Sequence, residues 1–301
     1  MLDYSASGGP QADPDLLEVM PEKVLIRADL RKLAESLSVP EIRYLVDFYY
    51  QVQKFRVATS NEKNALTRSE EPNAAISYVV DRMRTVEDDI KAIMDRYTKI
   101  EPTRMGAWAR EVVGIGPVIS AGLLSNYPEV KETVGHLWSF AGLSPATKWE
   151  KGQKRPWNAH LKRLCWIIGE CFVKVSNRPR DIYGKVYQLR KEYELLKDGR
   201  GDYAEQAKEG AARVRKDTEA YKHYAQGHLP PGHIHARAKR YAVKAFLSDW
   251  HAEAYRRQNG RERPVPYAVA KLGHADTYEG ASWIEGARSL LQTEQRKPAT
   301  R

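Results

Sequence analysis

The stretch VVGIGPVISAGLLS, residues 112–125, places a Gly-Ile-Gly-Pro turn between two apolar segments. Glycine permits a positive φ and a close approach of another backbone. Proline fits the first turn of a helix, where its missing N–H costs no hydrogen bond. The pattern therefore predicts two helices joined by a tight turn. In a helix-hairpin-helix such a turn contacts DNA phosphates through the free amides of the second helix. A plain interhelical turn has the same composition, and the turn alone leaves both interpretations open.

Positive charge is concentrated beside and after this turn. The 301-residue chain carries a formal net charge of +10, with 49 Lys and Arg against 39 Asp and Glu. Residues 148–192 contain twelve cations against four carboxylates, and residues 237–263 contain eight against three. A basic balance of this kind favours an acidic partner, of which nucleic acid is the commonest. A solvated basic surface without a nucleic-acid partner is the alternative.

The loop KWEKGQKRPW, residues 148–157 and called the basic loop below, mixes cations with two indoles. Cations that neutralise phosphates and aromatic rings that stack on bases are the two elements of single-strand binding. The basic loop is therefore a candidate nucleic-acid contact. Packing of Trp149 and Trp157 within the protein is the alternative for the two indoles.

Apolar residues repeat every three or four positions along the chain, and no stretch alternates as a strand does. Residues 40–67 are predicted to be helical, and the next helix carries a heptad pattern that indicates a coiled-coil hairpin or a dimerisation element. Its seam positions are Ile76, Val79, Met83, Val86, Ile90, Ile93 and Tyr97. A last long helix is predicted over 234–258, with Val243, Phe246, Leu247 and Trp250 on its apolar face.

The predicted fold is all-α, with long antiparallel coiled-coil helices followed by a helical domain that contains the helix-hairpin-helix. The expected segments are a flexible tail over 1–39, the coiled-coil hairpin over 40–100, the helix-hairpin-helix domain over 101–178, a helical extension over 179–275 and a tail over 276–301.

Other features favour a cytoplasmic protein with no metal or cofactor. The N-terminus has no apolar signal segment, and the chain has no run of about eighteen apolar residues, so neither secretion nor membrane insertion is expected. Cys165 and Cys171 lie six positions apart in an apolar stretch, which suits reduced core residues. The four histidines between positions 223 and 235 do not have zinc-site spacing, and we expect them to face solvent or phosphate.

Three blocks in order, GIGPVISAGLLS (114–125), LWSFAGLSP (137–145) and LKRLCWIIGECF (161–172), resemble the C-terminal domain of the insertion-sequence one-ten (Piv/MooV, DEDD-type) transposases. The stretches HIHARAKRYAVKAFLSDW and PVPYAVAKLGH are similar to the closing helix of a phage- and archaeon-associated branch. Residues 41–98 resemble the coiled coil that precedes the domain. The likeness extends over about 41–275.

The family's catalytic parts do not match this sequence. A RuvC-like nuclease domain with four acidic residues precedes the family's coiled coil, whereas only about forty residues stand before it here. The family's nucleophilic serine belongs to a Ser-Gly pair, and the corresponding place reads Trp149-Glu150-Lys151-Gly152. The resemblance therefore implies a DNA-binding protein related to transposition or recombination in a mobile element, without catalysis of its own.

The expected partners are DNA or a structured RNA, further copies of the chain through the coiled coil, and a separate nuclease subunit. An active recombinase with a relocated nucleophile, Ser144 or Thr147, is one alternative. An RNA-binding or protein-assembly scaffold is the other. The residues predicted to contact DNA are Gly114, Ile115, Gly116, Val118, Lys148, Lys151, Lys154, Arg155, Lys162, Arg163, Arg237, Arg240 and Lys244.

Overall fold

A computed structural model describes residues 32–127, 129–144, 149–265 and 278–297. Within these ranges the protein is all helical and contains no strand, which confirms the predicted fold class. The helices are α1 (Val39–Arg68), α2 (Ala74–Ile100), α3 (Met105–Glu111), α4 (Pro117–Asn126), α5 (Val134–Phe140), α6 (Ala159–Val175), α7 (Tyr183–Gly199), α8 (Ala204–Ala211), α9 (Glu219–Ala225), α10 (Pro231–Asn259) and α11 (Ser282–Gln295).

Helices α1 and α2 form an antiparallel hairpin. Ser38 begins α1 through a capping box, in which its hydroxyl accepts from the Glu41 amide and its own amide donates to Glu41 at 2.8 Å. Midway along both helices, the Arg56 guanidinium forms a bidentate ion pair with the buried Glu87 carboxylate. At the end of the hairpin away from its turn, Ile42 of α1 packs in one cluster with Met94 of α2.

The hairpin does not bury the predicted heptad seam. Val79 and Val86 are 42% and 38% exposed, although both were expected inside. The neighbouring residues Val80 and Glu87 are buried instead. The buried stripe is displaced because α2 packs against α4 as well as α1, so its inward face points between two partners. The prediction of one continuous seam is wrong at these positions, and a coiled-coil arrangement is not confirmed.

One hydrophobic core extends from α3 to α11, with α10 at its centre. Proline occupies the first turn of α10, and Gly260 ends the helix in the left-handed conformation, with φ of 64°. Phe246 of α10 contacts the rings of Phe172 in α6 and Tyr183 in α7, with centroids 5.6 and 5.4 Å apart. The predicted apolar face of this helix is confirmed, since all four of its residues are at most 2% exposed. The segments predicted as 101–178 and 179–275 therefore share one core.

The segment predicted as a C-terminal tail, 276–301, contains helix α11. Leu291 and Ala287 bury its apolar face, and Arg200, which directly follows α7, forms an ion pair with Glu294 of α11. The indole of Trp283 donates to the buried Asp249 carboxylate of α10 at 2.8 Å. The tail prediction is wrong over this helix, because its apolar residues recur at helical spacing and pack against α7.

Candidate nucleic-acid interface

The Gly-Ile-Gly-Pro turn joins α3 to α4, as the sequence predicts. Gly114 has a φ of 97°, and a Cβ at this position would lie 3.2 Å from Val175 Cγ2. Gly116 is the N-cap of α4 in an extended conformation, and a Cβ there would meet nothing within 4 Å. Gly114 is thus required by backbone geometry and by its packing against the end of α6, whereas Gly116 is not.

The turn offers no side chain to a nucleic acid. Ile115 is 5% exposed in the main core, and Val118 is 6% exposed in the cluster shared with α1 and α2. DNA contact at these two residues was predicted through the free backbone amides of the turn, so with buried side chains that contact stays a prediction. Helix α4 lies between the hairpin and the core. Gly114 and Gly116 are half-buried.

A groove of basic character lies elsewhere, between α6, α10 and the loop at residues 142–144. Two adjoining cavities of about 240 and 450 Å³ form it, and both are lined by Gly142, Leu143 and Arg240. We call the cavity of about 240 Å³ the small cavity, the cavity of about 450 Å³ the basic cavity, and the two together the basic groove. Lys162 lines the small cavity in the first turn of α6, whereas the glycine turn packs on the last turn around Val175. At about 1.5 Å per residue, these two ends of α6 are about 20 Å apart.

The basic cavity is lined by four cations and one carboxylate. The carboxylate, Glu194, is buried and accepts hydrogen bonds from Arg237 Nε at 2.6 Å, Arg190 Nε at 2.8 Å and the Tyr203 hydroxyl at 2.5 Å. Burial raises the pKa of Glu194, but these donors outweigh it and the pKa is lowered overall. The predicted contact residue Arg237 is therefore engaged in an internal ion pair.

Two cations of the basic cavity keep an uncompensated charge. Within the part of the chain that the structure describes, neither Arg240 nor Lys244 has a carboxylate at ion-pair distance. Burial lowers the pKa of Lys244, and the nearby Arg190 and Arg240 lower it further. The pKa of Arg240 is lowered by desolvation and by Arg237. Cations that lie close together, with lowered pKa values, gain when an anion binds between them, so this arrangement is typical of an anion site.

Aromatic rings continue the basic groove into the basic loop. The Lys162 ammonium lies 3.7 Å from the centroid of the Trp157 ring, which meets Trp149 edge-on at 6.3 Å. The Arg155 guanidinium lies over Trp149 at 5.6 Å. Gly142 permits this arrangement, because its φ is 65° and a Cβ would lie 2.9 Å from Trp157 Cγ. The pKa of Lys162 is lowered by partial burial and by Arg155 and Arg240.

The remaining predicted residues are distributed around this groove. Lys151 and Lys154 are exposed and have no ion-pair partner among the described residues, whereas Arg163 is exposed on the α1 side, 5.4 Å from the Tyr50 ring. Ser144 is half-buried at the lining of the basic cavity. Lys148 and Thr147 lie outside the described residues.

Three residues of the site were not singled out from the sequence. Arg190 and Trp166 line the two cavities, and Trp138 lies 4.1 Å from the Lys244 ammonium. Arg190 belongs to the basic segment over 148–192, so the sequence showed its charge but did not predict that it lines the cavity. Trp166 lies one turn after Lys162. Once residues 159–175 are predicted to be helical, this i, i+4 spacing places the two side chains on the same face.

The histidines are not assembled into one cluster. His235 pairs with the Tyr187 hydroxyl at 2.7 Å, His233 with the Tyr224 hydroxyl at 3.2 Å, and His228 with Asp198 at 3.1 Å. Over the described ranges, no group of three or more His, Cys, Asp or Glu side chains has a geometry suited to a metal ion. No helix within those ranges has both the length and the apolar character needed to cross a membrane.

A comparison of the chain with protein-family models, with curated proteins and with solved structures finds no match. The transposase resemblance therefore remains a prediction that depends on the sequence blocks alone.

Proposed function

We propose that this protein binds DNA through the basic groove and has a transposition- or recombination-related role in which it contributes binding and no strand cleavage. The observation that carries the proposal is the convergence of Lys162, Arg240 and Lys244 on one groove. Lys162 was predicted as a DNA contact from one part of the sequence, and Arg240 and Lys244 from another. Burial, and then the neighbouring cations, lower the pKa of each of the three.

Phosphate is the anion that fits this arrangement. Arg240 and Lys244 are one helical turn apart on α10, so their charges face the same cavity. The exposed Lys151 and Lys154 extend the positive surface beyond it. Contacts to phosphates position a protein on DNA without selecting a sequence. The groove therefore supports sequence-independent binding with a strong dependence on salt.

The transposase context adds two partners to the proposal. A separately encoded nuclease subunit would supply the strand cleavage, and assembly of several copies would bring two DNA sites together. The hairpin of α1 and α2 supports assembly because six of its large apolar residues are at least 38% exposed. These are Tyr44, Phe55, Val57, Tyr78, Val79 and Val86.

Fluorescence anisotropy with a labelled 30-base-pair duplex tests the binding proposal. We expect the logarithm of the association constant to fall linearly with the logarithm of salt concentration. Arg240→Ala and Lys244→Ala each remove one cation of the basic groove and should each reduce the slope by about 0.9. Arg82→Ala is the matched control, because it removes the same charge from an exposed position on α2.

Two outcomes contradict the proposal. Binding that does not depend on salt would exclude a phosphate interface. Equal losses in all three variants would show that net charge, and not the groove, attracts the duplex. Competition by a folded RNA at equal salt distinguishes DNA from RNA as the preferred partner.

Protein assembly is a second candidate function, favoured by the exposed apolar residues of the hairpin. Sedimentation velocity measures it directly. Phe55→Glu and Val86→Glu are expected to convert an oligomer to the monomer, whereas Glu62→Ala, an exposed polar change on α1, should leave the assembly intact. A wild-type protein that is monomeric at micromolar concentration would exclude this function.

A further inference from the structure

We infer that the basic groove holds one unpaired nucleotide, with its base in the small cavity and its phosphate in the basic cavity. The inference depends on the proposed function and specifies it, because it selects unpaired over fully paired nucleic acid. It is based on two adjoining cavities with different chemistry.

The small cavity has the chemistry of a base pocket. Leu143, Cys165 and Val243 give it an apolar lining, and Gly142 and Gly169 contribute bare backbone. A Cβ on Gly169 would lie 3.4 Å from Val243 Cγ2 and from Lys239 Cβ, so α6 and α10 pack closely beside this cavity. At about 30 Å³ for each water molecule, 240 Å³ holds about eight water-sized groups. That volume suits one planar ring system.

An exposed indole stands at the mouth of the small cavity. Trp166 is 63% exposed, which makes it the most exposed of the tryptophans among the described residues. It lies one turn after Lys162 on the same face of α6. The ammonium of Lys239 is 5.6 Å from its ring but is paired with Glu170. Most of the indole therefore remains free to stack on a base.

Arg240 connects the two cavities, since it lines both of them. A base in the small cavity would place its sugar near Arg240 and its phosphate toward Lys244. The ion pair of Glu194 with Arg190 and Arg237 closes the far side, so no free carboxylate within the described lining opposes the phosphate.

A paired base cannot enter the small cavity while it is stacked within a duplex. Removing it costs unstacking and unpairing energy, and this cost is least at a bulge, a mismatch or a single strand. The site should therefore prefer such substrates over a perfect duplex. A free mononucleotide has the same chemistry, and the experiment must separate the two sources.

Anisotropy at one salt concentration with three labelled ligands provides the test. The ligands are a 20-nucleotide single strand, the matched duplex, and the same duplex with one bulged nucleotide. Trp166→Ala should weaken binding of the single strand and of the bulged duplex by about 5- to 150-fold, with the perfect duplex unchanged. Trp166→Phe should retain most of the affinity, because it keeps an aromatic face.

Leu290→Ala is the control, since Leu290 is an exposed apolar residue, 37% exposed, on α11, which lines neither cavity. Equal weakening of all three ligands by Trp166→Ala, or none, overturns the inference. So does tighter binding of the perfect duplex than of the bulged one. If adenosine 5′-monophosphate competes as strongly as the bulged duplex, the ligand is a free nucleotide and the nucleic-acid assignment of this site fails.

The experiments distinguish failure of the nucleotide pocket from failure of the proposed DNA-binding function. Loss of all binding in Arg240→Ala, with no selective effect of Trp166→Ala, preserves the groove as a phosphate site and removes only the nucleotide pocket. Unchanged binding of every ligand in Arg240→Ala and Lys244→Ala removes the proposed function as well.

Discussion

Replacement of Gly114 by alanine separates a structural turn from a phosphate-binding turn. The residue has a φ of 97°, and the new methyl group would lie 3.2 Å from Val175 Cγ2 and 3.5 Å from Phe172 Cδ1. Both features lie within the protein and not on its surface. We therefore expect Gly114→Ala to lower the stability of the fold and to leave the DNA affinity of the folded protein unchanged.

The size of the effect follows from three contributions. A left-handed conformation costs an alanine about 1–2 kcal/mol. The tight contact with Val175 adds about 1 kcal/mol. The loss of chain freedom in the unfolded state offsets this by about 0.4–1 kcal/mol. The net expectation is a loss of about 1–2.6 kcal/mol in the free energy of unfolding.

Gly116→Ala is the control two residues away. Its φ is −94° and its ψ is 178°, which any residue adopts, and its methyl group would meet nothing within 4 Å. Alanine is a poorer N-cap than glycine, but it also loses less chain entropy, so the net change should stay within about 0.5 kcal/mol.

Urea unfolding measures the stability of both variants, and anisotropy with the 30-base-pair duplex measures their affinity. A stable Gly114→Ala variant would refute the geometric argument. A tenfold loss of duplex affinity in Gly116→Ala at unchanged stability would show that the turn contacts phosphate, and the helix-hairpin-helix interpretation would then hold.

Three further results are expected. Glu194→Gln should lower the free energy of unfolding by about 3 kcal/mol at pH 7 in urea titrations, because it leaves Arg190 and Arg237 without their anion. The pKa of Glu194 is lowered in the folded state, so its contribution to stability is present above the unfolded pKa and disappears as pH falls through the folded pKa. A difference in stability between wild type and variant that stays constant at lower pH would contradict this expectation. Burial lowers the pKa of His251 to about 4, so between pH 6.5 and 4 the unfolded chain binds a proton that the folded protein does not. The free energy of unfolding should therefore fall by up to about 3 kcal/mol over this range, and the decline should be smaller in His251→Gln. Burial raises the pKa of the Cys165 thiol to about 12, so a disulfide reagent should modify it only after urea unfolding, and rapid modification of the native protein would show that the site opens.

The parts of the fold that were predicted correctly are those in which one helix face meets one core. The apolar face of α10 is an example, because a 3.6-residue period on a buried helix leaves only one way to bury Phe246 and Trp250. The turn at Gly114 is another, since glycine and proline constrain the backbone locally. Neither prediction needed a distant partner.

The prediction of the α2 seam failed because it depended on a distant partner. The α2 seam assumed α1 as its only neighbour, whereas α4 also packs in one cluster with Ile90 and Met94 of that helix. Glu87 is buried in place of Val86 and pairs with Arg56 of α1. Val118 was predicted as a DNA contact at the start of α4, and the sequence pattern did not reveal that α1 and α2 cover its side chain. Sequence periodicity records that a face is apolar, but not which element covers it.

The sequence predicted some features of the basic groove and missed others. Clustered charge predicted that α6 and α10 face an acidic partner, and Arg240 and Lys244 do share a cavity. Spacing along the chain does not reveal ion pairs, however, so Arg237 and Arg240 looked equivalent. The fold distinguishes them, because Glu194 on α7 accepts a hydrogen bond from Arg237, whereas no carboxylate among the described residues forms an ion pair with Arg240.

The surroundings of Ser144 favour binding over strand cleavage by this side chain. A serine nucleophile needs a base within hydrogen-bond reach, and the cavity that Ser144 lines contains one carboxylate among the described residues, Glu194. That carboxylate accepts from two guanidiniums and a tyrosine, and its pKa is lowered, so it is a weak base. The remaining charged side chains of the cavity are cations, which attract phosphate but do not remove a hydroxyl proton. If Ser144→Ala leaves both DNA affinity and the products of a strand-cleavage assay unchanged, the hydroxyl only lines the site; a covalent protein–DNA adduct that disappears in this variant would mean that another group supplies the base.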